Sequence, residues 1–298
     1  MDAIIWDDLE IEQKNSAEGR SYLRDGVSHL SVTSITSKME KADFFTWEKN
    51  VGTEKAAQIR TDSALHGSAA HFAIECYLRS ERKIPEAFQA FYQGVGMKWI
   101  NANPDVVRLP VAHQKFLGLL QPFRHFLEIV NPIAIEKKIF WSNGEVGFGG
   151  TADFFLELQE GRIKLPNGEK LGKTLVVADW KNFRSKKAPI CHKWNGNPYY
   201  PLLKYALQLS AYCAGFNYLT NSKHNLDKAI LVCATNSESP IPADLFYFSP
   251  QALAWHFSIF TEGMYCIKNN HPFDWIEYET LADEYQYLGE PVEISPAC

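Results

Sequence analysis

The fold is decided by two runs, Gly149-Gly150-Thr151-Ala152-Asp153-Phe154-Phe155-Leu156 and Thr174-Leu175-Val176-Val177-Ala178-Asp179-Trp180-Lys181. The second is an almost unbroken apolar, β-prone run of the kind buried on both faces of a sheet. Both read as strands, and each carries a carboxylate, Asp153 or Asp179, next to apolar surface. Burying a carboxylate is costly unless something cationic meets it. Side chains alternate along a strand, so Asp179 and Lys181 share a face and Trp180 takes the other. Two carboxylates and an amine gathered at strand ends can hold a hard divalent cation beside a phosphate.

Working outward, residues 133–141 (IAIEKKIFW) alternate, with Ile133, Ile135, Ile139 and Trp141 on one face and Glu136 on the other. Asn143-Gly144 follows, a strong two-residue hairpin signal. With those two as the loop, Glu136 pairs with Thr151 and Ala134 with Asp153. Glu136 and Asp153 then stand diagonally, about 7–8 Å apart at the backbone, and a third carboxylate enters the site. The competing reading is a solvated strand face carrying ordinary charges.

A chain of 298 residues can bury a large core. With 46% hydrophobic and 22% charged residues it has a globular composition, and no run is apolar enough to span a bilayer. The acidic opening MDAIIWDDLEIEQ argues against a targeting peptide. Cysteines 76, 191, 213, 233, 266 and 298 include no C-x-x-C pair, so neither a zinc site nor a disulfide framework is expected, and a reducing cytoplasm fits best. The net charge of −5 does not by itself suggest nucleic acid. Charge is unevenly spread, however. Lys181, Arg184, Lys186, Lys187 and Lys193 follow the carboxylates with no acid among them. Residues 271–298 carry Asp274, Glu277, Glu279, Asp283, Glu284, Glu290 and Glu293 with no Lys or Arg.

In chain order, one domain over 1–298 is expected: a polar irregular arm at 1–30, a helical region at 31–130 carrying His71, an α/β core at 131–250, and a C-terminal helix with an acidic tail at 251–298. A short helix is expected over 38–50. Asp62 or Ser63 caps a helix over 64–78, on which His71 and Glu75 share a side away from the apolar stripe. A further helix is expected over 111–130, a surface hairpin at Pro166-Asn167-Gly168, and a helix opening at Pro201 and running to about 218. Strands are expected at about 133–141, 146–158, 174–181, 228–235 and 244–248, which together predict a mixed central sheet flanked by helices. Ser249-Pro250 caps a last helix through about Lys268. The acidic tail is expected to be dispensable for chemistry and to shield the basic stretch.

Four short motifs now stand in order: Gly67-Ser68-Ala69-Ala70-His71 on a helix, Gly150-Thr151-Ala152-Asp153 and Asp179-Trp180-Lys181 at strand ends, and Gln208-Leu209-Ser210-Ala211-Tyr212 on a second helix. The set resembles the PD-(D/E)xK nuclease superfamily, in its RecB-like exonuclease branch. The Ser31-Val32-Thr33-Ser34-Ile35 opening and Gly52-Thr53-Glu54 look most similar to the mitochondrial genome maintenance exonucleases and their phage relatives. The resemblance covers about residues 30–215.

It implies a Mg²⁺- or Mn²⁺-dependent deoxyribonuclease acting on DNA ends with single-stranded character, in recombination, repair or replication of phage or bacterial type. The implied ligands are Asp153, Asp179, the Trp180 main-chain carbonyl and His71, with Glu136 completing the site. Lys181 would hold the attacking water, and Glu75 would accept a hydrogen bond that orients His71. Gln208 and Tyr212 would contact the nucleic-acid backbone or brace the lysine. Arg184, Lys186 and Lys187 would meet phosphates, and Trp194, Tyr199 and Tyr200 would stack on bases. Iron–sulfur members of the branch carry a cysteine group after the core; this chain has none there, so no cluster is expected.

Two other classes compete. One is a catalytically silent DNA-binding module, against which the intact Asp153, Asp179 and Lys181 speak. The other is a hydrolase of small phosphorylated molecules, against which the basic, aromatic stretch after Lys181 speaks.

Overall fold

The structure, a computed structural model, describes residues 10–16, 19–39, 49–79, 120–183, 193–194, 197–198, 200–235 and 242–296. It opens with an antiparallel meander of β1 (Glu12–Ser16), β2 (Gly19–Arg24) and β3 (Val27–Leu30). Helix α1 (Val32–Lys38) and the long α2 (Thr53–Arg79) follow, then a 3-10 turn and α3 (Arg124–Leu127). The core supplies β4 (Val130–Ser142), β5 (Gly147–Leu158), β6 (Ile163–Lys164) and β7 (Thr174–Phe183). A small pair, β8 (Lys193–Trp194) and β9 (Asn197–Pro198), leads into α4 (Tyr200–Leu219). The chain closes with β10 (Ala229–Thr235), β11 (Asp244–Phe248), α5 (Pro250–Lys268), α6 (Trp275–Glu284) and β12 (Glu290–Ile294).

Seven strands form the main sheet in the order β4-β5-β7-β10-β11-β12-β6. Only β7 and β10 are parallel, as the connection through α4 requires; every other neighbouring pair is antiparallel. Alternation along β7 sends Val177 into one apolar cluster and Val176, Ala178 and Trp180 into another. The first cluster is covered by α1, α4, α5 and α6, the second by α2 and the 120–127 turn. The result is a mixed α/β protein whose large sheet is flanked by helices on both faces. Among the described residues no helix is long and apolar enough to cross a membrane.

The five expected strands and the helices after Tyr200 and Ser249 are present within a few residues. Several expectations are corrected. Residues 12–16 and 19–30 are not an irregular arm: they form the meander, turned at Asp25-Gly26, where φ of 50° and 79° suits a two-residue turn of a hairpin. Its most buried anchor is Tyr22, set against Gly149 of β5, where an added Cβ would collide with the Tyr22 side chain. The helix carrying His71 begins at Thr53 rather than near residue 64. The first short helix is Val32–Lys38, capped by the Ser31 hydroxyl, which accepts from the Ser34 N–H. Of the helix expected over 38–50, residues 40–48 lie outside the described residues, as do 80–119.

The β4–β5 loop is Asn143–Val146, not Asn143-Gly144 alone. Asn143 Oδ1 accepts from the N–H groups of Glu145 and Val146, and Ser142 pairs with Gly147. Two extra loop residues shift the hairpin register by two from Ser142 back to Ala134, and an irregularity at Pro132–Ala134 reduces the shift to one beyond it. Lastly, the acidic C-terminus is no loose tail. Trp275, Tyr278 and Ala282 of α6 enter the core, and β12 pairs with both β11 and β6. Truncation after Asn270 would therefore remove a sheet strand and part of the core, so the segment is not a solvated end.

Candidate metal centre

The corrected register improves the site. Ile135 pairs with Phe154 and Lys137 with Ala152, so Glu136 stands directly opposite Asp153. Glu136 has a φ of 52°, a left-handed conformation unusual for a non-glycine residue and worth noticing where function is suspected. Ile135 before it leans on one core while Ile139 after it lies in the other. On the partner strand, Ala152 and Phe154 are likewise divided between the two cores. Ordinary alternation would keep each of these pairs on one face; both strands turn over at the Glu136–Asp153 step.

β5 and β7 pair from Leu158–Thr174 as far as Phe154–Ala178 and then part. Asp153 and Asp179 are the first residues beyond the last pair, one on each arm of this fork. Glu136, Asp153 and Asp179 thus form one row across three neighbouring strands, at the point where the sheet opens. Further along β5, Gly149 bridges to Ser31 of the N-terminal segment, which takes the edge that β7 has vacated.

The row sits in apolar surroundings. The Asp179 side chain is fully buried and that of Asp153 is 14% exposed. Burial raises the Asp153 carboxyl above its ordinary range, with the nearby Glu136 charge adding and Lys181 opposing. Asp179 is raised as well, by burial first and by Asp153, against the pull of Lys181. Lys181 Nζ lies 2.8 and 2.6 Å from the two Asp179 carboxylate oxygens. Although burial works against its charge, Asp179 and Asp153 hold the ammonium protonated. The same Nζ stands 4.8 Å over the ring of Tyr205, a cation–π contact from α4. Trp180 points the other way, boxed edge-on by Phe123, Phe126 and Phe154.

His71 reaches the row from α2. Its Nε2 is 3.0 Å from the Trp180 carbonyl oxygen and its Nδ1 is 3.4 Å from Asp153 Oδ2. Burial, and then Lys181, lower its pKa, so the ring is neutral and carries one N–H. Both ring nitrogens nevertheless face oxygen acceptors. Whichever nitrogen holds the hydrogen, the other turns a lone pair toward an oxygen, and Asp153 Oδ2 accepts no hydrogen bond among the described residues. A proton or a cation resolves such a contact. Ligand atoms of His71, Glu136 and Asp153 lie within 4.8 Å of one another. Ligands on an ion with bonds of about 2.1 Å stand roughly 3 Å apart at right angles and about 4.2 Å apart when opposed. The 3.4 Å between His71 and Asp153 suits this directly, and the widest spacing in the set, up to 4.8 Å, asks the side chains to close in. The donor set therefore fits a divalent cation.

Other expected residues fall elsewhere. Glu75 does not orient His71: it accepts from Arg79 Nε at 2.7 Å, one turn further along α2, while both His71 nitrogens look the other way. Its charge acts instead on Glu136. That residue is exposed overall, yet partial burial and then Glu75 raise its carboxyl to about 7. Gln208 and Tyr212 are buried, at 6% and 3% exposure, and Gln208 Nε2 donates to the Tyr212 hydroxyl at 2.8 Å. They cannot touch a nucleic-acid backbone from there. They brace the fork from beneath, where the Tyr212 ring would meet a Cβ at Gly150. Arg184, Lys186, Lys187 and Tyr199 lie outside the described residues, and for Trp194 and Tyr200 only the backbone is described.

Two contributors were missed from sequence. Tyr205 precedes Gln208 by three residues on α4, and that helical spacing was a usable signal. Tyr22, whose hydroxyl is 2.9 Å from Thr151 Oγ1, gave none, because the strand bearing it is otherwise polar.

No family model matches the chain, and no curated protein matches it. A solved structure described as the crystal structure of SSO0001 is similar at a TM-score of 0.23 and 13% identity, covering 56% of this chain and 69% of that one.

Proposed function

We propose that the chain is a metal-dependent deoxyribonuclease of PD-(D/E)xK type, an exonuclease acting on DNA ends with single-stranded character. The observation that carries this is the row of Glu136, Asp153 and Asp179 across the fork, with Lys181 clasping one end and His71 meeting the middle. Asp153, Asp179, His71 and the Trp180 carbonyl would hold Mg²⁺ or Mn²⁺, with Glu136 on the open side. Bound there, the ion would supply Lewis-acid polarisation of the scissile phosphate and lower the pKa of a ligated water.

The protein's own groups do the rest. Lys181 is kept charged by the two aspartates and can orient the attacking water and stabilise negative charge as it grows on the phosphate. The Tyr205 ring fixes the direction of that ammonium. His71, neutral and pinned between Trp180 and Asp153, offers a bare nitrogen at neutral pH. Asp153 and Asp179 stay costly to ionise until a cation arrives, which couples their deprotonation to metal binding. The basic residues after Lys181 would draw in the phosphate backbone.

The test is to incubate end-labelled single- and double-stranded DNA with the purified chain in Mg²⁺, Mn²⁺ or EDTA. Stepwise release of nucleotides from an end, dependent on metal, is expected. Intact DNA with both metals would sink the proposal, whereas metal-dependent cleavage of a closed circle would replace the exonuclease with an endonuclease.

A further inference from the structure

The meander contributes more than the Tyr22 anchor. Along β2, alternation puts Arg20, Tyr22 and Arg24 on one face. Tyr22 fixes where that face points: its ring lies against Gly149 and its hydroxyl meets Thr151, two residues from Asp153. Arg24, at one end of the row, is taken up by the rings of Phe140 and Tyr218, at 4.6 and 5.4 Å. Arg20 stands at the other end, exposed, with its charge felt by Glu136 at the mouth of the fork. Its backbone is fixed, because the Arg20 carbonyl accepts from both the Ser31 N–H and the Ser34 hydroxyl at 3.1 Å. Among the described residues, two other cations at this mouth are engaged within the protein, Arg79 with Glu75 and Lys181 with Asp179.

We propose that Arg20 is a substrate contact, its guanidinium binding a phosphate of the nucleic-acid strand adjacent to the one held at the fork. The meander is then one wall of the substrate channel. A guanidinium suits this position because its planar fork meets a phosphate through two hydrogen bonds. The inference rests on the nuclease reading.

Full-length wild type, Arg20→Ala, Arg20→Met (which keeps the aliphatic stem) and Arg20→Lys are compared on a single-stranded oligonucleotide. Binding is read by anisotropy in Ca²⁺, and KM and kcat in Mn²⁺. Arg20→Ala and Arg20→Met should raise Kd and KM about tenfold, the size of one charge-assisted contact, with kcat within about twofold. The slope of log Kd against log salt should fall by about one, and Arg20→Lys should recover part of the loss. Melting temperature should match wild type, as should Mn²⁺ affinity measured at a pH where Glu136 is ionised in every variant. Unchanged KM and salt slope, or a loss confined to kcat, overturns the assignment to Arg20. A wild-type chain that neither binds nor cuts the oligonucleotide overturns the nuclease reading instead, and this inference with it.

Discussion

The two halves of the β5–β7 pair obey opposite rules. Over the paired half, Phe154, Phe155, Leu156, Leu158, Val176, Val177 and Ala178 are fully buried, and they knit both cores to the sheet. The one acid there, Glu157, has Lys173 Nζ at 3.1 Å. Over the open half, the same strands carry Asp153, Asp179 and Lys181, with Glu136 opposite on β4. Carboxylates crowd each other there in surroundings that disfavour their charge. Packing over four or five residues holds the strands so firmly that the next few can be arranged unfavourably for folding and favourably for a cation. Local rules are broken where function is concentrated.

The sharpest way to break this comparison is at Lys181. Lys181→Ala should lower cleavage by at least about 10³-fold, the scale of losing a charge-stabilising donor at a reacting centre. It should also destabilise the metal-free protein by about 1–3 kcal/mol, because the buried Asp179 carboxyl loses its hydrogen-bond donor. Adding Asp179→Asn should restore most of that stability and none of the activity, as measured by denaturant melts and the end-labelled assay. A Lys181→Ala protein as stable as wild type would show the clasp to be energetically idle.

The paired half should respond in the converse way. Phe155→Ala empties a site packed against Phe216, with ring centroids 4.9 Å apart, and should cost about 3–5 kcal/mol. Mn²⁺ affinity measured below its melting transition should stay within about twofold of wild type. A large loss of affinity would mean that the two halves are not separable.

The smallest expected effect is a pH dependence at Glu136. Its folded pKa of about 7 lies above the ordinary 4.5, so between those values the folded state keeps a proton that the unfolded state has lost. Stability of the metal-free protein should therefore decline as pH rises from about 4.5 to 7 and level off above it. Metal affinity should move the other way, rising with pH toward 7 as that proton leaves. Glu136→Gln should flatten its share of both curves; identical profiles in the variant would remove Glu136 from the site.

Much of this was legible in sequence, for identifiable reasons. The strands around Asp153 and Asp179 announce themselves because long β-branched and aromatic runs leave few alternatives. The facing of Asp179 and Lys181 follows from a period of two. What escaped was set by single interactions rather than by pattern. The Asn143 side chain captured two backbone N–H groups and lengthened a loop, which moved Glu136 from a diagonal position to one opposite Asp153. The meander shows almost no alternation, since Tyr22 is its one fully buried side chain, although its Asp25-Gly26 turn was there to be read. The acidic C-terminus looked like a solvated end because its charges hide the spacing of Trp275, Tyr278 and Ala282. The role of Glu75 depended on which neighbour it chose, and Arg79 lay at the same helical spacing as His71.

The central claim is that the fork holds a divalent cation between residues of α2, β5 and β7. A crystal of the protein soaked in Mn²⁺ and measured for anomalous scattering tests it directly. The expected result is a peak between Asp153, Asp179 and the Trp180 carbonyl, with a His71 ring nitrogen at about 2.0–2.3 Å from the ion. A fork without a peak at saturating Mn²⁺, or an ion with the His71 ring well beyond about 2.5 Å, would contradict it.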